Sequence, residues 1–139
     1  MAKLSNFRQD SAAIEAGEWV TLPEWDNLRI KTRGFTNGYK DAMALRRRRA
    51  AQSLGGDESK IPAGIMRAIT IEALIVHLLL DVADLTDEHG QPVDFEAFCN
   101  LLRNPDYEPL GLACIEAAQR VGKRQGFDME DMAGPLVSA

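Results

Sequence analysis

The sequence predicts a mainly α fold of the α+β class: four to five helices carrying a small β-hairpin near the N-terminus. Apolar residues recur at spacings of three and four between about residues 63 and 84, the period of a helix face. Apolar and polar residues alternate around residues 18–33, the period of a half-buried hairpin. Cap residues and glycine or proline stops divide the rest into helical lengths. With 139 residues, 45% hydrophobic and 27% charged, the chain can build one core but not two. Residues 1–133 are therefore expected to form a single domain and 134–139 a flexible tail.

Taken in order, SAAIEAG (residues 11–17) reads as a short helix capped by Ser11 and stopped by Gly17. Trp19, Val20 and Leu22, a Pro-Glu-Trp-Asp-Asn turn, and then Leu28, Ile30 and Thr32 make the hairpin, with Arg29 and Lys31 on its other face. A lone hairpin is marginal in water, so this one must pack on the helices. Thr36 caps a second helix, which Gly55 and Gly56 end, and residues 55–64 read as a linker. The third helix, from about Ala63 to Asp84, is the most apolar. One stripe is Ile65, Ile69, Ala73, Val76, Leu80 and Ala83, with Met66, Leu74 and Leu78 beside it. Such a helix lies at the centre of the core or is shared with another subunit.

LTDEHGQPVDFE (residues 85–96) has the outline of a calcium loop. Counted from Gly90, however, the EF-hand register places Leu85 at the first ligand position and His89 at the fifth, where a hard cation needs oxygen. The stretch reads instead as a helix–turn–helix connection. Gly90 supplies a left-handed residue, Pro92 blocks helical continuation, and Asp94 caps FEAFCNLL. RNPDYEP is a second connection, with Pro109 in the first turn of a last helix running through LGLACIEAAQRVGKRQ.

Catalysis requires a nucleophile, a base and an orienting group brought together. The chain has two histidines, no Cys-x-x-Cys, no His-x-x-x-His and no glycine-rich phosphate loop after a strand. His77, one turn from Asp81 in the most apolar helix, reads as a core or interface histidine, and His89 as a solvated one. Cys99 and Cys114 read as buried thiols in a reducing compartment. No catalytic residue, metal or cofactor is expected. The net charge of −5 argues against a nucleic-acid partner. The longest apolar run, EALIVHLLLDVADL, is too short and too polar for a bilayer, and the N-terminus has no signal-peptide core. A cytoplasmic protein without a membrane or nucleic-acid partner is expected. Trp25, in a turn that the hairpin itself cannot bury, stands out as a contact for a protein partner. Arg46, Arg47, Arg48 and Arg49 point around all sides of their helix, so they form no single basic face.

Two segments together resemble the tail assembly chaperones of long-tailed bacteriophages. AGEWVTLPEWDNLRIKTRGFTNGYKDAMALRRRR resembles the family's start: a tryptophan-bearing strand, a polar turn, a basic second strand and an aromatic, arginine-rich helix. LLLDVADLTDEHGQPVDFEAFCNLL resembles its second hallmark, a hydrophobic helix, an acidic turn with Gly, Pro and Val, and an aromatic residue opening the next helix. The likeness runs from about residue 4 to 125; Ala83 departs from it where the family often has a bulky residue. The resemblance implies a non-enzymatic protein of the host cytoplasm, absent from the mature virion. It implies binding to the tape measure protein, which it keeps soluble, and recruitment of the tail tube protein, in many such genes through a longer frameshifted form. A homo-oligomer is compatible with it. On this reading Trp25, Phe35 and Tyr39 contact the partner, and Arg46 to Arg49 steer its acidic segments. The alternatives are a small structural virion protein, such as a head–tail connector or tail completion protein, and a regulator binding nucleic acid through the arginines.

Overall fold

The computed structural model describes residues 1–123. In chain order it contains α1 (Ser11–Ala16), β1 (Glu18–Leu22), β2 (Leu28–Thr32), α2 (Asn37–Ala51), α3 (Ala63–Ala73), β3 (Leu79–Ala83), α4 (Phe95–Leu102) and α5 (Glu108–Arg120). The fold is mainly α with one small antiparallel sheet, as the sequence predicts. The expected domain end at residue 133 and the expected tail lie outside the described residues.

The hairpin forms where alternation places it. Val20 pairs with Ile30 and Leu22 with Leu28, so apolar side chains share one face while Trp19, Thr21, Arg29 and Lys31 share the other. Pro23–Trp25 form a single 3₁₀ turn, and Asp26 and Asn27 then take left-handed backbone to close the hairpin. α5 packs on β1 and β2, α4 on β3 and α5, and α2 on α3. Leu22, Ile30, Leu74, Leu78, Phe98 and Leu102 are fully buried at their junction.

The third helix does not reach Asp84. α3 passes into a π-helical turn at Leu74–Leu78, and the chain continues as β3, which pairs with β2 through Ile30 and Val82. A short apolar run has no decisive period. Here the unpaired edge of β2 decides, because its backbone groups need partners. Arg33 fastens the turn: its backbone N donates to the Leu78 carbonyl at 2.9 Å, its Nη1 to the His77 carbonyl at 3.2 Å and its Nε to the Glu15 carbonyl at 2.9 Å. The expected stripe is accordingly buried only in part, at Ile69 and Ala73. Ile65 and Val76 are exposed, whereas Leu74 and Leu78 of the second stripe are fully buried.

Other local expectations divide in the same way. Asp10, not Ser11, caps α1, its carboxylate accepting from Ala12 N and Ala13 N at 3.1 Å; Gly17 ends α1 at φ +84°. Thr36 caps α2 through Tyr39 N at 3.2 Å, and Asp94 caps α4 through Ala97 N at 2.8 Å, both as expected. The presumed linker is ordered: Asp57 caps a 3₁₀ turn at Glu58–Lys60, and Ile61 is buried. Residues 85–93 connect a strand to a helix, not two helices. Val93 N donates to the Leu85 carbonyl at 2.9 Å, and the Asp87 carboxylate accepts from His89 N at 2.8 Å and Gln91 N at 2.9 Å. α5 ends at Arg120, earlier than expected, and Gly122 turns the chain at φ +76°.

Two ion pairs tie distant segments. Glu72 of α3 accepts from Arg103 at 2.7 and 3.3 Å, and Glu24 of the hairpin turn pairs with Arg120 of α5. The arginine hydrogen bonds hold both carboxyls below the ordinary value of 4.5. A depressed carboxyl contributes stability above its unfolded pKa and loses it as pH falls through the folded one. The native protein should therefore be slightly more stable than a Glu24→Gln/Glu72→Gln variant at neutral pH, slightly because both pairs are solvated, and its melting temperature should fall more steeply between about pH 5 and pH 3 until the two converge in acid. Equal acid slopes in a thermal melt series would contradict this.

Candidate functional site

Among the described residues, two of the surface grooves join apolar walls to charged side chains from more than one element. The first lies between α3 and α5. Ala63, Arg67 and Ile71 line it from α3, and Glu108, Leu112 and Ile115 from α5, each set spaced by three or four residues along one helix face. Its volume is about 350 Å³. Two glycines, Gly64 and Gly111, line it as well. A Cβ on Gly64 would meet nothing within 4 Å, and one on Gly111 would lie 3.0 Å from Ile71 Cδ1, so α5 sits close to the Ile71 side chain at that point. Leu112 is 57% exposed on the rim.

Arg67 is the polar element of this groove. Its Nη2 donates to the Leu102 carbonyl at 3.0 Å and the Asn104 carbonyl at 3.2 Å, which secures the end of α4. Its Nε is buried and has no hydrogen-bond partner among the described residues; the Glu108 carboxylate stands 3.8 Å away. A buried donor left without an acceptor costs about 1–3 kcal/mol. The groove thus combines apolar walls with the Arg67–Glu108 pair, an arrangement suited to a helix bearing an apolar stripe.

The second groove lies where the hairpin turn meets β3 and α5. Trp25, Leu28, Leu85, Leu110 and Ala113 supply its apolar surface, and Asp26 and Asp84 its acidic rim, around a volume of about 360 Å³. Asp26 and Asp84 both hold left-handed backbone, at φ +56° and +62°, conformations that Asp tolerates better than most residues. Arg29 lies 3.7 Å from the Asp84 carboxylate and stacks over the Trp19 ring at 4.8 Å on the outer sheet face.

The residues singled out in the sequence do not form one surface. Trp25 is 45% exposed in the second groove. Tyr39 is 9% exposed and belongs to the core, against the expectation of a partner contact; it sits on α2, which packs on α3. Phe35 is half-buried against it, with ring centroids 5.3 Å apart, and lines a small depression with Ile14 and Val121. Arg46 and Arg47 are half-buried, Arg47 pairing with Glu58 at 3.2 Å, while Arg48 and Arg49 are exposed. Cys99 and Cys114 are buried free thiols, and burial pushes both above the ordinary thiol range. The α3–α5 groove escaped the sequence reading. Its one sequence signal was Gly111, a glycine inside a helical pattern, where a Cβ would crowd Ile71. Comparison with protein-family models, with curated proteins and with solved structures gives no match.

Proposed function

We propose that this protein is a tail assembly chaperone of a long-tailed bacteriophage. It binds the tape measure protein in the host cytoplasm, keeps it soluble and helps recruit tail tube subunits, without catalysing a reaction. The observation that carries this reading is the open α3–α5 groove, helix-lined and apolar, on a chain of net charge −5. The likeness of residues 16–49 to that chaperone family supports it independently, whereas in residues 78–102 a strand at Leu79–Ala83 stands where the resemblance implied a hydrophobic helix.

The physical requirement is simple. A long helical protein presents apolar stripes to water before assembly, and a holder must cover them while keeping its own exterior charged. A groove of this size covers one or two apolar side chains, so each contact is weak. Many copies along one filament then hold it through avidity. Covering a leucine-sized side chain contributes about 1.5–3 kcal/mol, a factor of ten or more per copy. Leu112→Glu places a charge on an exposed rim position and should leave the fold intact. Co-expressed with the tape measure protein, the native chain should hold it in the supernatant and the Leu112→Glu variant should release it to the pellet. Full solubilisation by a folded Leu112→Glu variant would remove the groove from the mechanism; failure of the native chain would remove the function.

A further inference from the structure

The second groove has a complement on the same molecule. Its floor is apolar and its rim acidic; the Asp26 carboxylate has no partner among the described residues, and Asp84 meets only Arg29, at 3.7 Å. On α2, Leu45 is 39% exposed, with Arg48 three residues on and Arg49 four residues on, so the three share one outward stripe. Arg48 and Arg49 have no ion-pair partner among the described residues, whereas Arg47 is occupied by Glu58. An exposed leucine beside two unpaired arginines fits an apolar floor beside two carboxylates.

We propose that the Trp25 groove of one copy receives the exposed face of α2 from a second copy, with Leu45 on Trp25 and Leu110 and the arginines against Asp26 and Asp84. Both the size and the charge of the two surfaces support this occupant. The groove, at about 360 Å³, takes one leucine with room for arginine stems along its walls. Asp41, one turn before Leu45, is the acid on that stripe, so it sets the polarity: the arginine end faces the rim. Because the chain carries −5 overall, two copies repel at long range, and the attraction is local to these residues. The surfaces differ, so the contact is heterologous and builds a reciprocal dimer, a ring or a filament according to its angle. It uses none of the residues lining the α3–α5 groove, and Leu112→Glu leaves it unchanged.

Sedimentation velocity of the full chain between about 1 μM and 1 mM spans the range for a contact this small. Association is expected to rise with concentration and to weaken as salt goes from about 50 to 500 mM, where the Debye length falls below the spacing of the paired charges. Trp25→Ala/Asp26→Asn spoils the groove but keeps α2; Leu45→Glu/Arg48→Glu spoils α2 but keeps the groove. Each variant alone should sediment as a monomer, and the two mixed should form a one-to-one complex and nothing larger. That complementation also shows that both variants are folded. A native chain that stays monomeric at every concentration overturns the proposal and leaves the groove to another protein. Association that survives in either variant alone, or variants that fail to complement, overturns it as well.

Discussion

Phe98→Ala is expected to lower the unfolding free energy by about 3–5 kcal/mol, the range for deleting a fully enclosed aromatic ring. Among the described residues Phe98 is the largest side chain with no solvent exposure, and it joins α4 to the rest of the core with Phe95 6.3 Å away. α4 has only eight residues, too few to hold helical form in isolation, so its stability comes from this anchor. A domain of this size has about 5–15 kcal/mol in all, and the substitution removes a large share. Urea unfolding should show a lower midpoint at an unchanged slope. A loss under about 1 kcal/mol would mean that the site collapses freely around the gap, contrary to the enclosure described.

Gly122→Ala is expected to cost about 2–5 kcal/mol, because a left-handed backbone and a steric clash add at one position. Gly122 has φ +76°, and a Cβ there would lie 2.6 Å from Ile14 Cγ1 and 2.9 Å from the Asp10 carbonyl oxygen. The glycine also fixes both its peptide groups. Its N donates to the Glu18 carboxylate at 3.0 Å, and its carbonyl accepts from Asp10 N at 2.9 Å. It thereby pins the end of α5 to the start of α1. Gly55→Ala is the control: φ is +71° but nothing lies within 4 Å, so only the backbone penalty of about 1–2 kcal/mol applies. Thermal melts should separate the two variants clearly, and hydrogen exchange in the Gly122→Ala protein should rise first in α1. Equal costs at the two positions would show that the contact with Ile14 and Asp10 is not tight.

Local chemistry made most of the elements legible. The alternation about Val20, Leu22, Leu28 and Ile30 found the hairpin, and the oxygen side chains of Thr36 and Asp94 found two helix starts. Non-local pairing was not legible. Leu79–Ala83 carries no period of its own, and only the open edge of β2, some fifty residues earlier in the chain, makes it a strand. The same holds for the sites. An exposed Trp25 followed from its place in a turn, but its companions Leu85 and Leu110 come from two other elements. Tyr39 looked like a free aromatic on a polar helix, but with α2 packed on α3 it joins the core. Arg67 gave no sign in sequence, because an unmet Nε exists only once α3, α4 and α5 meet.

The central proposal is that this helical body shields the apolar stripe of a much longer helical protein and then leaves. Its most direct test is quantitative mass spectrometry of tape measure complexes captured from infected cells beside purified virions from the same culture. Several copies of this chain per tape measure chain in the captured complex, and none in the virion, is the result expected. A fixed copy number in the virion, with none recovered on the tape measure protein, would contradict it.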